Sequence, residues 1–570
     1  MKNKDFRSAR WFSKDDLRSF GHRSRFKQMG YTDEEYEKPI IGIINTWNEL
    51  NTCHTHFPER VQDIKRGITA AGGLGVEIPC MSLGEQLMKP SAMMFRNFLA
   101  MEVEEILRAY PIDGAVLMGG CDKTTPGVLM GAISLNIPCI YVPAGAMIET
   151  KYKNESLGSG TDVWKYWDDR QAGNLSECEW RSIENKIARS PGTCMSMGTA
   201  ATMMIAAESL GLSLPGYASI LAVDSEHKRM AYESGKRSVD IVKEQIKPQQ
   251  ILTKEAFENA IVINTTAGGS TNAIIHLLAL AKRAGVKLAL DDFGTLSKDV
   301  PLLVNLKPTG KYVMQDFDYA GGTLALMNLI KDKLHNILTI NGKRLYDNIQ
   351  GHEVHDHDVI RKLDNSLNES GGITVLKGNI APYGCIIKHS AAEARLLQHK
   401  GKALVYEHIK DLKADIDRAD LDVDENTILV LKNAGPVGAP GMPEWGQLPI
   451  PKKLLKQGVR DLLRISDARM SGTSYGACIL HISPEAYIGG PFGLVQTGDI
   501  IEVDIEKRSI NLLVDDQELL KRSKKPPAYR RKEYTSGYAK LYIEHVSQAH
   551  EGCDFDFLSS ETRDFEPDIF

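Results

Sequence analysis

Of the nine cysteines in this chain, Cys53, Cys121 and Cys194 have neighbours that simple packing does not require. Cys53 lies between Asn51–Thr52 and His54. Cys121 follows Gly119–Gly120 and precedes Asp122, Lys123 and Thr124. Cys194 follows Ser190–Pro191–Gly192–Thr193. Thiolates suit iron–sulfur clusters or zinc. Clusters usually take four cysteines, so three would leave one iron open to a substrate, as catalytic zinc sites keep one open position. The gaps of 68 and 73 residues (121 − 53 and 194 − 121) form no local motif. On spacing alone, buried structural cysteines explain them better. The signal is in the flanking Gly, Pro and charged residues.

Hard oxygen donors occur nearby. Asp122 and Lys123 directly follow Cys121, Glu85 sits in Ser82–Leu83–Gly84–Glu85–Gln86, and Glu444 sits in a Gly- and Pro-dense stretch, residues 438–446. Carboxylates are the ligands Mg²⁺ prefers, although any one of them alone reads as a solvated surface acid. Ser471, in the polar stretch 464–476, could be a nucleophile, a base as alkoxide, or a turn serine. No Gly-x-Ser-x-Gly elbow accompanies it, so a hydrolase triad has little support.

The elements that must position these groups alternate. Short apolar runs at 39–45, 76–83, 113–119 and 138–143 read as strands, with helices predicted at 58–71, 91–110 and 124–135. Strand–helix alternation predicts a parallel α/β sheet whose ligands gather beyond the strand carboxyl ends. Cys53 and Cys121 then fall at such ends. Residues 195–285 read as mainly helical. From about 372 onward, short β-like pieces separated by Gly and Pro turns predict a β-barrel or sandwich. The expected division is an arm at 1–38, which shows no clear periodicity, an α/β domain at 39–372, and a β-barrel-like domain with a C-terminal tail at 373–570.

The charge balance is 69 − 74 = −5, with no basic stripe, which argues against nucleic acid. An acidic substrate would therefore need positive charge supplied within the site. The N-terminus lacks an apolar signal core, and no run reaches the ~18 apolar residues of a membrane span, so a cytoplasmic location is expected. Sparse cysteines in such a compartment read as thiols or metal ligands rather than disulfides.

Taken together, GGCDKTTPG (119–127), SPGTCMSMGTA (190–200), NTTAGGSTN (264–272), NAGPVGAPGMPEWG (433–446) and RISDARMSGTSYG (464–476) resemble the dihydroxy-acid/sugar-acid dehydratase family. The resemblance runs from about Trp11 to about Leu558. Within the family it is closest to the pentonate dehydratases, through WFSKDDLRSFGHRS, NTWNEL, MSLGEQLMKPSAMMFRN, GSGTDVWKYW and the ending YAKLYIEHVSQAHEGCDFDFL.

The resemblance implies an N-terminal α/β domain and a C-terminal β-barrel-like domain with the site between them. It implies a 2Fe-2S cluster on Cys53, Cys121 and Cys194, with 4Fe-4S as the alternative. It implies Mg²⁺ bound by Glu85, Asp122, Glu444 and Lys123, the lysine carbamylated because a plain ammonium cannot bind a cation. Ser471 would be the base with Thr473 beside it, and the assembly a homodimer or homotetramer. His54 departs from the family pattern, where an Asn is expected.

The implied reaction removes water from a sugar acid such as L-arabinonate to give a 2-dehydro-3-deoxy acid. Rival readings are the same chemistry on D-xylonate, D-gluconate, another aldonate or a branched-chain dihydroxy acid. A non-catalytic zinc or thiol regulatory protein is a more distant rival.

Overall fold

The structure is a computed structural model describing residues 5–158, 160–525, 529–558, 560 and 565–569. Residues 1–4 of the expected arm, Ser159 of the GSGTDVWKYW stretch and the rest of the expected tail lie outside the described residues.

The N-terminal sheet has four parallel strands in the order β2-β1-β3-β4, with β1 Ile40–Asn45, β2 Leu74–Pro79, β3 Gly114–Gly119 and β4 Cys139–Pro143. β1, β3 and β4 are buried at every residue, which explains their continuous apolar runs. The second strand was expected at 76–83. It starts two residues earlier and ends at Pro79, where the chain leaves the sheet and carries Glu85 across its carboxyl end to Cys121 and Lys123. The helix expected at 91–110 begins as a 3₁₀ turn, Ala92–Phe95, before the α-helix Arg96–Ala109.

The helix Thr124–Leu135 matches its expected bounds and is buried throughout, closed by Asn136 in the left-handed conformation. Helices Phe57–Ala70 and Ser225–Glu244 pack tightly against each other. A Cβ on Gly67 would lie 2.0 Å from Tyr232 O, and one on Gly235 would lie 2.2 Å from Ile64 O.

The arm is helical over Ala9–Phe12 and Leu17–Gln28, the latter started by Asp16, whose Oδ1 accepts Ser19 N–H at 2.7 Å. It docks on the body through Ser8, whose N–H and Oγ donate to Asp113 at 2.7 and 2.6 Å, and through buried Trp11 and Phe12. Its solvated helix carries few apolar residues, so no periodicity betrays it.

After β4 comes a hairpin, β5 Thr150–Tyr152 and β6 Glu155–Leu157, then helices Gly160–Gln171 and Glu177–Glu184. This cap has its own small core of Tyr152, Leu157, Tyr166 and Ile183.

The C-terminal part is a closed eight-stranded barrel in the order β10-β11-β12-β8-β7-β14-β13-β9. Its strands are β7 Thr374–Gly378, β8 Ala381–Ile387, β9 Gln398–Tyr406, β10 Ile428–Leu431, β11 Arg464–Ser466, β12 Cys478–Ser483, β13 Ile500–Asp504 and β14 Ser509–Leu512. Strands β9 to β12 run parallel. Closure leaves no free sheet edge, and Leu376, Val430, Ile465, Ile479 and Ile501 are among the residues of the core it encloses. A mixed α/β fold with a parallel-sheet domain and a β-barrel was expected, and this is what the chain forms. Among the described residues no helix is long and apolar enough to cross a membrane.

Candidate active site

The three cysteines sit beyond the carboxyl ends of the parallel strands. Cys53 lies in the 3₁₀ turn Thr52–His54 after β1, and its N–H donates to Asn51 Oδ1 at 3.1 Å. Cys121 follows β3 after Gly120, where a Cβ would meet Ala144 Cβ at 2.1 Å. Cys194 is set by Thr193, which bridges to Ala146 beyond β4. Gly192 makes that approach possible, since its φ is +112° and a Cβ would lie 2.7 Å from Ala146 backbone.

The cysteines converge. The Cys121 thiol within hydrogen-bond reach pushes the Cys53 thiol well above its usual pKa, aided by burial and by Cys121, Cys194 and Asp122 as negative neighbours. Glu85 N–H points at Cys121 Sγ from 3.5 Å. His54 backs the group from behind. Its Nε2 receives Cys121 N–H at 3.1 Å, and its Nδ1 lies 2.7 Å from Thr46 O. A carbonyl can only accept, so Nδ1 carries the proton, and burial holds the ring neutral with a pKa of about 4.

The carboxylates converge on a second point. Lys123 Nζ, fully buried, lies 3.1 Å from Glu85 Oε2, 3.2 Å from Asp122 Oδ2 and 3.4 Å from Glu444 Oε1. Burial and Arg469 oppose the lysine charge, but the three acids outweigh them and raise its pKa. Burial raises the Glu85 pKa against the pull of Lys123, whereas Lys123 and Arg469 hold Glu444 below the usual range despite its burial.

Glu444 reaches this point because its loop, residues 433–446 after β10, is braced by buried acids. Asp467 accepts Ala434 N–H at 2.8 Å, and Glu485 accepts Val437 N–H at 2.9 Å and Gly438 N–H at 2.8 Å.

The loop between β11 and β12 supplies the hydroxyls. Ser471 Oγ and Thr473 Oγ1 are 2.9 Å apart. Gly472 between them packs so closely that a Cβ would sit 2.5 Å from Thr199 N.

One cavity of about 520 Å³ collects these parts. Cys53, Cys194, Glu85, Glu444, Ser471 and Thr473 line it. Cys121, Asp122 and Lys123 do not line it, but contact residues that do: the Cys121 thiol meets Cys53 and Glu85 N–H, and Lys123 bridges Asp122 to Glu85 and Glu444.

Two functional side chains escaped individual notice in the sequence, although both lie in the quoted motifs. Asn272 Nδ2 and Arg469 Nη1 each donate to Glu444 Oε1 at 2.9 Å. The signal was a helix N-terminus at Asn272 and a buried arginine two residues before Ser471.

The donor chemistry fits two different cations, thiolates for a soft one and carboxylates for a hard one. Glu85 Oε2 is buried with an ion pair but no aligned hydrogen bond, which leaves lone pairs for a metal. Among the described residues no three His, Cys, Asp or Glu side chains close on one ion, and the acids gather instead around the lysine ammonium.

A family model described as dihydroxy-acid/6-phosphogluconate dehydratase N-terminal matches residues 38–348, and its C-terminal counterpart matches 358–553. Similar proteins include a 6-deoxy-6-sulfo-D-gluconate dehydratase of Pseudomonas putida, 48% identical over 100% of this chain and 99% of that protein. An L-arabinonate dehydratase of Rhizobium leguminosarum is 46% identical over 97% and 96%. A D-xylonate dehydratase of Caulobacter vibrioides is 38% identical over 97% and 95%.

Proposed function

The chain belongs to the dihydroxy-acid/6-phosphogluconate dehydratase family, and on that premise we propose that it dehydrates a sugar acid, L-arabinonate or a related aldonate, to a 2-dehydro-3-deoxy acid. The observation that carries this reading is the meeting of two thiols, two carboxylates and the Ser471–Thr473 hydroxyl pair in one cavity.

Cys53, Cys121 and Cys194 would hold a 2Fe-2S cluster, and Glu85, Asp122, Glu444 and Lys123, carbamylated, would hold Mg²⁺. When bound, these cations supply Lewis acidity that lowers the pKa of hydroxyls and takes up charge on departing oxygen.

The rest falls to the chain's own groups. Ser471 Oγ removes the C2 proton while Thr473 Oγ1 donates a hydrogen bond to it. The electron pair forms the C2–C3 double bond, hydroxide leaves C3 and takes from Ser471 the proton removed from C2 to become water, and the enol tautomerises to the 2-oxo acid. No net electron transfer occurs. Asn272 and Arg469 fix the orientation of Glu444. Cap residues Val163 and Trp164 and barrel-side Trp445 wall the cavity and restrict water.

We keep 1–38, 39–372 and 373–570 as the proposed division of the chain, with a cytoplasmic homodimer or homotetramer as the working assembly. The test uses protein isolated without oxygen, an aldonate panel and 2-oxo acid detection. Ser471→Ala should keep the brown visible absorption and lose ~10²–10⁴ in turnover, while Cys121→Ser should lose both. Full activity in a colourless Cys121→Ser protein defeats the assignment.

A further inference from the structure

Building on the sugar-acid reading, we infer that Gln447 and Trp164 form the subsite for the substrate's tail, selecting an uncharged polyol over an alkyl or anionic end.

Gln447 lines the cavity, and its Oε1 is buried without a hydrogen-bond partner. Such an orphaned acceptor is costly unless something fills it. The backbone around it is fixed on both sides, since Gly446 N–H donates to Arg469 O at 2.8 Å and Arg464 Nη1 donates to Leu448 O at 3.3 Å. The backbone that carries Gln447 is therefore held in place at the cavity wall. A hydroxyl on a ligand supplies the missing donor, whereas an alkyl tail would leave the acceptor unpaired and an anionic one would meet a neutral carboxamide rather than a cation.

Trp164 also lines this cavity, and together with Gln447 it lines the neighbouring cavity of about 230 Å³, so the pair forms the partition between the two. Its helix is tied to the hydroxyl loop, because Thr161 Oγ1 donates to Thr473 O at 2.7 Å. Trp164 lies just over one helical turn beyond Gly160, a rise of ~6 Å, and a Cβ on Gly160 would lie 2.2 Å from Thr473 Oγ1. That offset approaches the C2-to-C6 span of an extended chain, roughly 5 Å from standard bond lengths. With C2 at Ser471, the far carbons meet Trp164, whose flat apolar face suits the C–H edges of a polyol. On the smaller cavity Lys452 and Arg464 are paired with Asp417 and Asp461 at 3.0 and 2.6 Å, and the only cation among the described residues that line the larger one is Lys89. It is exposed, and its Nζ donates to Gln86 O at 3.3 Å.

The experiment measures kcat/KM of the holoenzyme for D-gluconate and for 2,3-dihydroxy-3-methylbutanoate, using the latter's inhibition constant if it is not turned over. Gln447→Leu should lower the preference for the polyol acid about tenfold, the size of one neutral hydrogen bond, chiefly through KM. Gln447→Asn, shorter but still polar, should fall less and separates recognition from folding. An unchanged preference in Gln447→Leu overturns the inference. So does a better than tenfold preference for 6-deoxy-6-sulfo-D-gluconate over D-gluconate that disappears in Lys89→Met. Wild-type holoenzyme that makes no 2-oxo acid from any of these substrates overturns the dehydratase reading itself, and the tail subsite with it.

Discussion

His54 Nε2 holds the backbone N–H of Cys121 at 3.1 Å, so a side chain beside one cysteine orients the loop of another 67 residues away. His54→Ala leaves that buried N–H unpaired, at a cost of about 1–3 kcal/mol. The variant should unfold at lower temperature and hold less visible chromophore when isolated without oxygen. His54→Asn, shorter but able to accept, should recover part of both. An Ala variant as stable and as coloured as wild type would remove His54 from this role.

Gly160 is where the cap meets the hydroxyl loop. In Gly160→Ala the added methyl must displace Thr473 Oγ1, 2.2 Å away, from its 2.9 Å contact with Ser471. Misplacement near 1 Å can cost ~10²-fold in rate. Turnover should fall by about that factor while thermal unfolding shifts little, because the site is half-buried and the fold does not hang on it. Steady-state kinetics beside calorimetry would decide, and unimpaired turnover would refute the link.

Arg283 ties the C-terminal segment to the helix Asn272–Ala284. Its Nε and Nη2 donate to Asp554 at 2.6 and 3.0 Å, both side chains fully buried. Arg283→Met strands the carboxylate, and breaking such a pair typically costs about 3–5 kcal/mol. Denaturant unfolding should show a loss of that order, partly restored by adding Asp554→Asn. No loss in the single variant contradicts the pairing.

Glu208 gives a pH signature away from the site. Burial raises its pKa to about 7, although Gly216 and Ala218 N–H groups stabilise the anion. Its folded pKa exceeds the unfolded one, so its contribution is fully present below about pH 4.3 and is lost as pH rises through about 7. The span corresponds to about 4 kcal/mol. Between pH 5 and 8 wild type should therefore lose more stability than Glu208→Gln, whatever the offset between them. Parallel melting curves across that range would rule this out.

The parallel strands were readable because they are buried on both faces. Ile40–Asn45 and Gly114–Gly119 have no solvent side to interrupt them. The first half of β9, Gln398–Lys402, is mostly polar and largely exposed, so no apolar run marks it in the sequence. The cap helices mix Trp with charge around a core of four buried residues, too small to impose a pattern. At the site, Glu85 and Glu444 both approach Lys123 Nζ although 359 residues (444 − 85) separate them in the chain. No local spacing encodes that meeting, and the motif resemblance was what linked them. Asn272 and Arg469 were hidden because each acts by gripping Glu444, a role visible only in three dimensions.

The segment Gly537–Phe555 threads back between the two halves. Tyr542, Cys553 and Phe555 pack with Met93, Ile275 and Met442, while Arg96 and Asn97 hold the Cys553 carbonyl. In chain order, and so in synthesis, this stitch comes after the strands of both sheet and barrel. Until residues 537–555 are in place, Met93, Met94 and Met442 stay uncovered. A chain shortened to end near residue 530 should therefore expose an apolar seam that chaperones or proteases recognise.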